Sequence, residues 1–291
     1  MFLQSLIFMI ICNFAVDMGT DSFKFKQFEV RHDKCGMKVG TDGVLLGAWA
    51  VPPPSAGDLR VLDVGTGSGL IALMLAQRFE SASVTAIDID QAAVAQARGN
   101  VAASPFGSRI EVVQCDFRSF SYSQQEDFSC SEQEDFSCSE QEDFLCSAQE
   151  NFLCPTKEQV YDLVVSNPPF YVEDTFCPDS QKNAAKHASS LPFRQLICGA
   201  VRVMGKGGTL SVIVPYSVAN DFIGLAALSE LYLQRRCDVR SSIRKPFKRS
   251  LLSFSTIVST TERTELTLRD ADNQYTEAYR NLTREFYLGM E

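Results

Sequence analysis

The apolar positions of this chain fall into short blocks with alternating periods. VLDV (61–64) is a compact apolar run that predicts a buried strand. It breaks at GTGSGL, and IALMLAQRF then carries a helical pattern. VTAID (84–88) predicts a second strand, the Ala-rich DQAAVAQARGNVAA (90–103) a helix, and IEVVQ (110–114) a third strand. VYDLVVS (160–166) predicts a fourth strand, 193–204 a helix, and GTLSVIV (208–214) a fifth strand. Strand and helix in alternation predict an α/β fold with a mainly parallel sheet. Beyond residue 217 the pattern changes. A helix over 218–231 is followed by strand-like pieces near 232–240, 251–259 and 264–269, with no long helix between the last two. That spacing predicts an antiparallel finish to the sheet, and 275–288 a closing helix.

Two segments stand outside this pattern. Residues 125–156 are four copies of one octad, QEDFSCSE, QEDFSCSE, QEDFLCSA and QENFLCPT. Four such copies bury little, and eight is not a solenoid period. They read as an expanded surface loop, with an acidic docking or thiol element as the alternative. Residues 1–17 are apolar but lack the basic start of a secretory signal, since no Lys or Arg precedes Lys24. About sixteen apolar residues are also short for a bilayer span. Met18 opens a plausible soluble start, so 1–17 read as a leader or a mis-assigned start, with an atypical signal or anchor as the alternative. The expected organisation is a single domain over 18–291, interrupted by the acidic loop at 121–158.

The net charge of −9 argues against a nucleic-acid partner only until it is located. Residues 124–158 hold ten acids and one base, so they carry the whole −9; the remainder balances 26 bases against 26 acids. Of ten cysteines, four recur every eight residues in the octads, no Cys-x-x-Cys occurs, and neither histidine has zinc-ligand spacing. Free thiols in a reducing, cytoplasmic compartment and no metal are expected, with a redox or metal loop as the alternative.

The first strand-to-helix turn is DVGTGSG, with Gly65, Gly67 and Gly69; position 70, where a nicotinamide-binding turn prefers glycine, is Leu. This spacing suits a cofactor whose amino-acid part crosses the turn, and Asp63 in the strand could receive its ammonium. Asp88 ends the second strand, where a carboxylate accepts both ribose hydroxyl protons. Asp116, in CDF after the third strand, could accept an adenine amino group. The glycine turn alone is weak evidence, and either acid alone is more often a helix cap or a solvated turn residue. Together, at successive strand ends, they describe an S-adenosylmethionine pocket.

VVSNPPFY (164–171) supplies the acceptor side. Two prolines stop the strand and rigidify the loop. The Asn167 side-chain oxygen and the Pro168 backbone carbonyl can each accept an N–H from a conjugated amine or amide. Held that way, its delocalised lone pair faces the methyl donor. Pro169 stiffens the turn, and Phe170 can stack on a flat acceptor. A bare turn with two central prolines is the bland alternative.

The ordered set GTGSG, IDID and NPPF resembles the class I S-adenosylmethionine-dependent methyltransferases that modify amino groups. The head RHDKCGMKVGTDGVLLGAWA (31–50) is similar to the start of the bacterial tRNA1(Val) adenine-37 N6-methyltransferases. The likeness covers roughly 24–120 and 159–288; the octads and the apolar head depart from it. The resemblance implies a Rossmann-like α/β fold, a mainly parallel seven-stranded sheet with an antiparallel C-terminal finish, and N6-methylation of an adenine in a valine tRNA. It also implies that Lys38, Thr41 and Asp42 line the cofactor entrance, although Thr41-Asp42 also reads as a helix N-cap.

A tRNA partner should leave an electrostatic trace. RRCDVRSSIRKPFKR (235–249) holds seven bases and one acid. Arg240, Arg244, Lys245, Lys248 and Arg249 are candidate phosphate contacts, and Phe247 could stack a base. Lys186, in the KNAAKHASS stretch after NPPF, is a further candidate; the alternative is a solvated face. No membrane partner and a monomeric chain are expected. Competing functions are glutamine N5-methylation of a protein such as a release factor, guanine N2-methylation of rRNA, and a non-catalytic RNA-binding module. Only about 40 to 60 residues precede the glycine turn, too few for the helical substrate domain usual in the first of these.

Overall fold

The structure, a computed structural model, describes residues 21–33, 39–54, 57–120, 161–169 and 192–290. An N-terminal ribbon pairs β1 (Ser22–Lys24) antiparallel with β2 (Glu29–Arg31). The main sheet contains β3 (Arg60–Val64), β4 (Ser83–Asp88), β5 (Ile110–Gln114), β6 (Tyr161–Ser166), β7 (Met204–Pro215), β8 (Tyr232–Ser242), β9 (Arg249–Ser255) and β10 (Glu262–Arg269). Their spatial order is β10-β8-β9-β7-β6-β3-β4-β5.

The five strands read from the α/β pattern are mutually parallel, and β9 enters antiparallel between β7 and β8. Two details differ from expectation. Among the described residues the sheet has eight strands, not seven. Its last strand, β10, is not an antiparallel neighbour of β9; it lies beyond β8 and runs parallel to it. Periodicity marked β10 as a strand, but its partner is chosen by the short 256–261 crossing, which carries no periodic signal. The β1–β2 ribbon leaves no periodic signal in the sequence, because two three-residue strands are too short to show alternation.

Period-two alternation divides the core. Val61, Leu163 and Val165 face one apolar cluster, covered by helices Thr41–Trp49, Leu70–Arg78 and Gln91–Ala102. Leu62, Val64 and Val164 face a second cluster under helices Phe193–Val203 and Ala219–Leu228. Helix Glu277–Thr283 closes the first face, contributing Tyr279.

Helix Thr41–Trp49 packs closely on Leu70–Arg78 through Gly43 and Gly47. A Cβ on Gly43 would meet Leu70 at 3.0 Å, and one on Gly47 would meet Met74 at 2.8 Å. This contact seats Thr41 and Asp42 beside the start of the second helix, next to the glycine turn.

The chain runs outward from β3 to β5 and then returns to β6 on the other side of β3. The carboxyl ends of β3 and β6 therefore flank the point where strand order reverses, the usual ligand crevice of an open α/β sheet. Because β9 runs antiparallel and pairs Arg249 with Pro215, the β8–β9 turn emerges at this same edge.

Candidate functional site

Gly65, Gly67 and Gly69 all have positive φ, 72°, 56° and 82°. They play two different parts. A Cβ added to Gly69 would meet Ala97 at 3.3 Å, so that glycine lets the turn approach helix Gln91–Ala102. A Cβ on Gly65 or Gly67 would meet nothing within 4 Å, so those two line open space. That is the cradle a bound group would fill.

The cradle is pinned from β4. Gly65 and Thr66 each donate a backbone N–H to the Ile87 carbonyl at 2.9 Å, and Gly67 donates to Asp88 Oδ2 at 2.8 Å. Asp88 Oδ1 accepts from the Asp90 backbone, while Asp90 itself caps helix Gln91–Ala102 through Ala92. Of the two acids in IDID, the second is the helix cap and the first faces the turn. Burial pushes the Asp88 carboxyl above its ordinary value, and the hydrogen bonds from Asp90 and Gly67 oppose this.

Asp63 is wholly buried. Its Oδ2 accepts the Thr66 hydroxyl at 2.7 Å and the Ala72 N–H at 3.2 Å, joining strand, turn and helix. Oδ1 has no hydrogen-bond partner among the described residues. Burial raises its pKa to about 7 against those two bonds, and the Asp88 charge raises it further. A buried, half-satisfied carboxylate behind an open glycine cradle fits a ligand that carries N–H donors and positive charge. The residues therefore fit the cofactor expected from the sequence.

Asp116 sits past the end of β5, and the Cys115 N–H donates to the Asp88 carbonyl at 2.9 Å. The Asp116 carboxylate is closed on Arg118, whose Nε donates to both oxygens at 3.0 and 2.8 Å. This pairing holds the Asp116 carboxyl below the usual range. An adenine amino group would have to share those oxygens with Arg118.

On the acceptor side, the buried Ser166 hydroxyl donates to the Val64 carbonyl at 2.9 Å. Asn167 follows Ser166, and Gly65 follows Val64, so one bond holds the Asn167-Pro168-Pro169 segment next to the glycine turn. Pro168 is buried, and Asn167 and Pro169 are partly so. Lys38, Phe170, Lys186 and the octads lie outside the described residues.

Thr41 opens its helix, but Gly40 is the N-cap and no side chain caps it. The expected Thr41-Asp42 cap is absent because the helix already begins at Thr41, which leaves glycine at the N-cap; Asp42 is turned to Arg249, whose Nε donates to Asp42 Oδ2 at 2.7 Å. That pair ties the helix beside the cradle to β9.

The basic stretch divides into an inner and an outer set. Arg235 pairs with Glu262, Arg236 with Asp238, Arg240 with Glu265, and Arg249 with Asp42. Arg244, Lys245 and Lys248 are exposed on the β8–β9 turn and have no ion pair with a described acid. Phe247, expected to stack a base, is half-buried between Tyr216 and the Arg240 guanidinium.

Three contributors escaped the sequence reading. Thr66 and Ser166 are small hydroxyl residues whose roles depend on which strands adjoin. Asn100 is buried; its amide donates to the Arg31 and Ser68 carbonyls at 2.8 Å each and accepts the Arg31 N–H at 2.9 Å, fastening the ribbon to the turn. An asparagine in an Ala-rich helix whose other amides are the glutamines Gln91 and Gln96 was the available signal. Among the described residues no cluster of metal-ligating side chains occurs, and no helix is long and apolar enough to cross a membrane.

Residues 61–151 match the family model of a methyltransferase domain. A tRNA1(Val) (adenine(37)-N6)-methyltransferase of Bacteroides fragilis is 42% identical over 273 residues, covering 94% of this chain and 100% of that protein. One from Klebsiella pneumoniae is 38% identical over 271 residues, covering 93% and 96%. The crystal structure of a predicted O-methyltransferase from Agrobacterium tumefaciens matches with a TM-score of 0.54 at 19% identity, covering 84% of this chain and 96% of that one. That last likeness concerns the fold alone.

Proposed function

The chain belongs to the tRNA1(Val) (adenine(37)-N6)-methyltransferase family, and from that premise we propose that it methylates N6 of adenine 37 in the anticodon loop of tRNA1(Val), using S-adenosylmethionine. One observation supports the reading: the Ser166–Val64 bond joins the residue before Asn167 to the residue before Gly65, next to the open space at Gly65 and Gly67.

The cofactor, when bound, supplies a methyl group on a positively charged sulfur. Asp88 would accept the ribose hydroxyl protons, and Asp63, through its unsatisfied Oδ1, would stabilise the positive end. Asp116 would take the adenine amino group while keeping part of its hold on Arg118. Thr41, at the head of the helix packed on the turn, would border the entrance.

On the acceptor side, Asn167 Oδ1 and the Pro168 carbonyl would each accept one N–H of the adenine amino group. Two acceptors fix the nitrogen's orientation and draw its lone pair out of ring conjugation. No side chain of ordinary basicity has to remove a proton first. The two prolines prevent the acceptors from relaxing away. Arg244, Lys245 and Lys248 would meet RNA phosphates at the same sheet edge, making RNA affinity salt-dependent.

The test is methylation of unmodified total tRNA with labelled S-adenosylmethionine, followed by nucleoside mass spectrometry. N6-methyladenosine in valine tRNA is expected. N2-methylguanosine, or label only in protein or ribosomal RNA, would overturn the substrate assignment.

A further inference from the structure

The inner and outer division of the basic stretch leaves one aromatic residue in an unusual position. Tyr216 follows the end of β7, and its N–H donates to the Lys248 carbonyl at 3.1 Å, so it is bolted to the base of the β8–β9 turn. Its ring packs against Phe247 with centroids 5.5 Å apart, and the Arg236 guanidinium lies 5.5 Å from its centre. Behind Phe247 stands Arg240, 4.9 Å from that ring. Both arginines are themselves held by acids, Arg236 by Asp238 and Arg240 by Glu265. The result is a pair of packed rings flanked on either side by an arginine.

Tyr216 nonetheless remains 40% exposed, and its hydroxyl has no hydrogen-bond partner among the described residues. Ile243, also exposed, lies on the adjoining turn with Arg244, Lys245 and Lys248, which have no ion pair with a described acid. Tyr216 is four residues past Val212, the register partner of Ser166. At about 3.3 Å per residue it lies on the order of 10 Å beyond the level of Asn167, one strand over. A half-open aromatic surface, a hydroxyl with no hydrogen-bond partner among the described residues, and three cations with no ion pair to a described acid together complement a flat, hydrogen-bonding group attached to an anionic backbone.

We infer that Tyr216 is a docking point for an unpaired base of the RNA, next to the nucleotide presented to Asn167, with Arg244, Lys245 and Lys248 on the flanking phosphates. This rests on the proposed RNA substrate. It moves base recognition from Phe247, which is half-buried between Tyr216 and Arg240, to the more exposed Tyr216. Contacts between bases and aromatic side chains tolerate sequence and are a principal means of holding single-stranded RNA.

The test uses the full chain, with Tyr216→Ala and Tyr216→Phe variants, and a labelled anticodon stem-loop RNA against a blunt RNA duplex of equal length. Tyr216→Ala should weaken stem-loop binding about tenfold, the loss of roughly one stacked base. Duplex binding and cofactor affinity should not move, and Tyr216→Phe should stay within a fewfold of wild type. Charge reversal at Lys245 should instead weaken both RNAs and flatten the salt dependence. Equal stem-loop affinity in Tyr216→Ala, in a preparation whose wild type makes N6-methyladenosine, would overturn the base site while leaving the enzyme assignment standing. A wild type that methylates no RNA, yet binds the stem-loop in a Tyr216-dependent way, would keep the site and remove the enzyme assignment.

Discussion

Ser166 donates its hydroxyl proton to the backbone carbonyl of Val64 across 2.9 Å in the buried middle of the sheet. These residues are the last of β6 and of β3, on the two sides of the crevice. Their bond fixes the position of the Asn167-Pro168-Pro169 segment, the proposed acceptor motif, relative to the glycine turn. Ser166→Ala removes a buried hydrogen bond without adding bulk, and should lower stability by about 1 kcal/mol. Urea denaturation measures that. Turnover should fall with cofactor affinity preserved, and an unchanged rate would detach the bond from positioning.

Asn167→Ala deletes one of the two acceptors proposed to orient the amine. The rate constant should fall about 100-fold, while the affinities for cofactor and RNA stay near wild type. Single-turnover kinetics with saturating cofactor separate the two. A defect confined to binding would mean that Asn167 only shapes the loop.

Asp88→Ala should weaken cofactor binding by about 10- to 100-fold, since buried ribose hydroxyls would lose their acceptor. Asp88 also receives the Gly67 N–H, so the turn loses a support as well. Asp88→Asn keeps an oxygen for that N–H and should recover part of the affinity. Calorimetric titration with S-adenosylhomocysteine reads this without turnover, and equal affinity in Asp88→Ala would contradict the ribose role.

Asp63 gives the fold a pH dependence. Burial raises its pKa from 3.8 to about 7, so the folded chain keeps a proton that the unfolded chain releases. That stabilisation is complete below the unfolded value and is lost as pH rises through about 7. Asp88, also raised, acts in the same direction. Asp116 is lowered, so its contribution is lost only as pH falls below the ordinary carboxyl range. From pH 5.5 to 8 the Asp63 share amounts to about 2 kcal/mol. Thermal denaturation at those two pH values should show the wild type more stable at 5.5, and Asp63→Asn should flatten the difference. An equal slope in the variant would remove Asp63 as the cause.

The strands that build the site were legible because each has an apolar run bounded by Gly, Pro or Asp, and these residues punctuate structure whatever lies nearby. The glycine turn and the Asn-Pro-Pro stop were legible for the same reason. What was not legible depends on distant neighbours. Nothing in the β10 sequence says that it passes β9 to pair with β8. Nothing local to Arg249 says that it meets Asp42, 207 positions away. Seven bases in a row of fifteen look alike until the fold pairs four of them with acids. Phe247 looks exposed until Tyr216 and Arg240 are placed around it.

The central claim is that the crevice between β3 and β6 presents an exocyclic adenine nitrogen to the methyl donor. The most direct measurement is methylation of two valine tRNA transcripts that differ only at position 37, one with adenine and one with guanine. Label should enter the adenine transcript as N6-methyladenosine and be absent from the guanine transcript. Equal labelling of both would contradict the claim, because the methylated atom would then lie elsewhere.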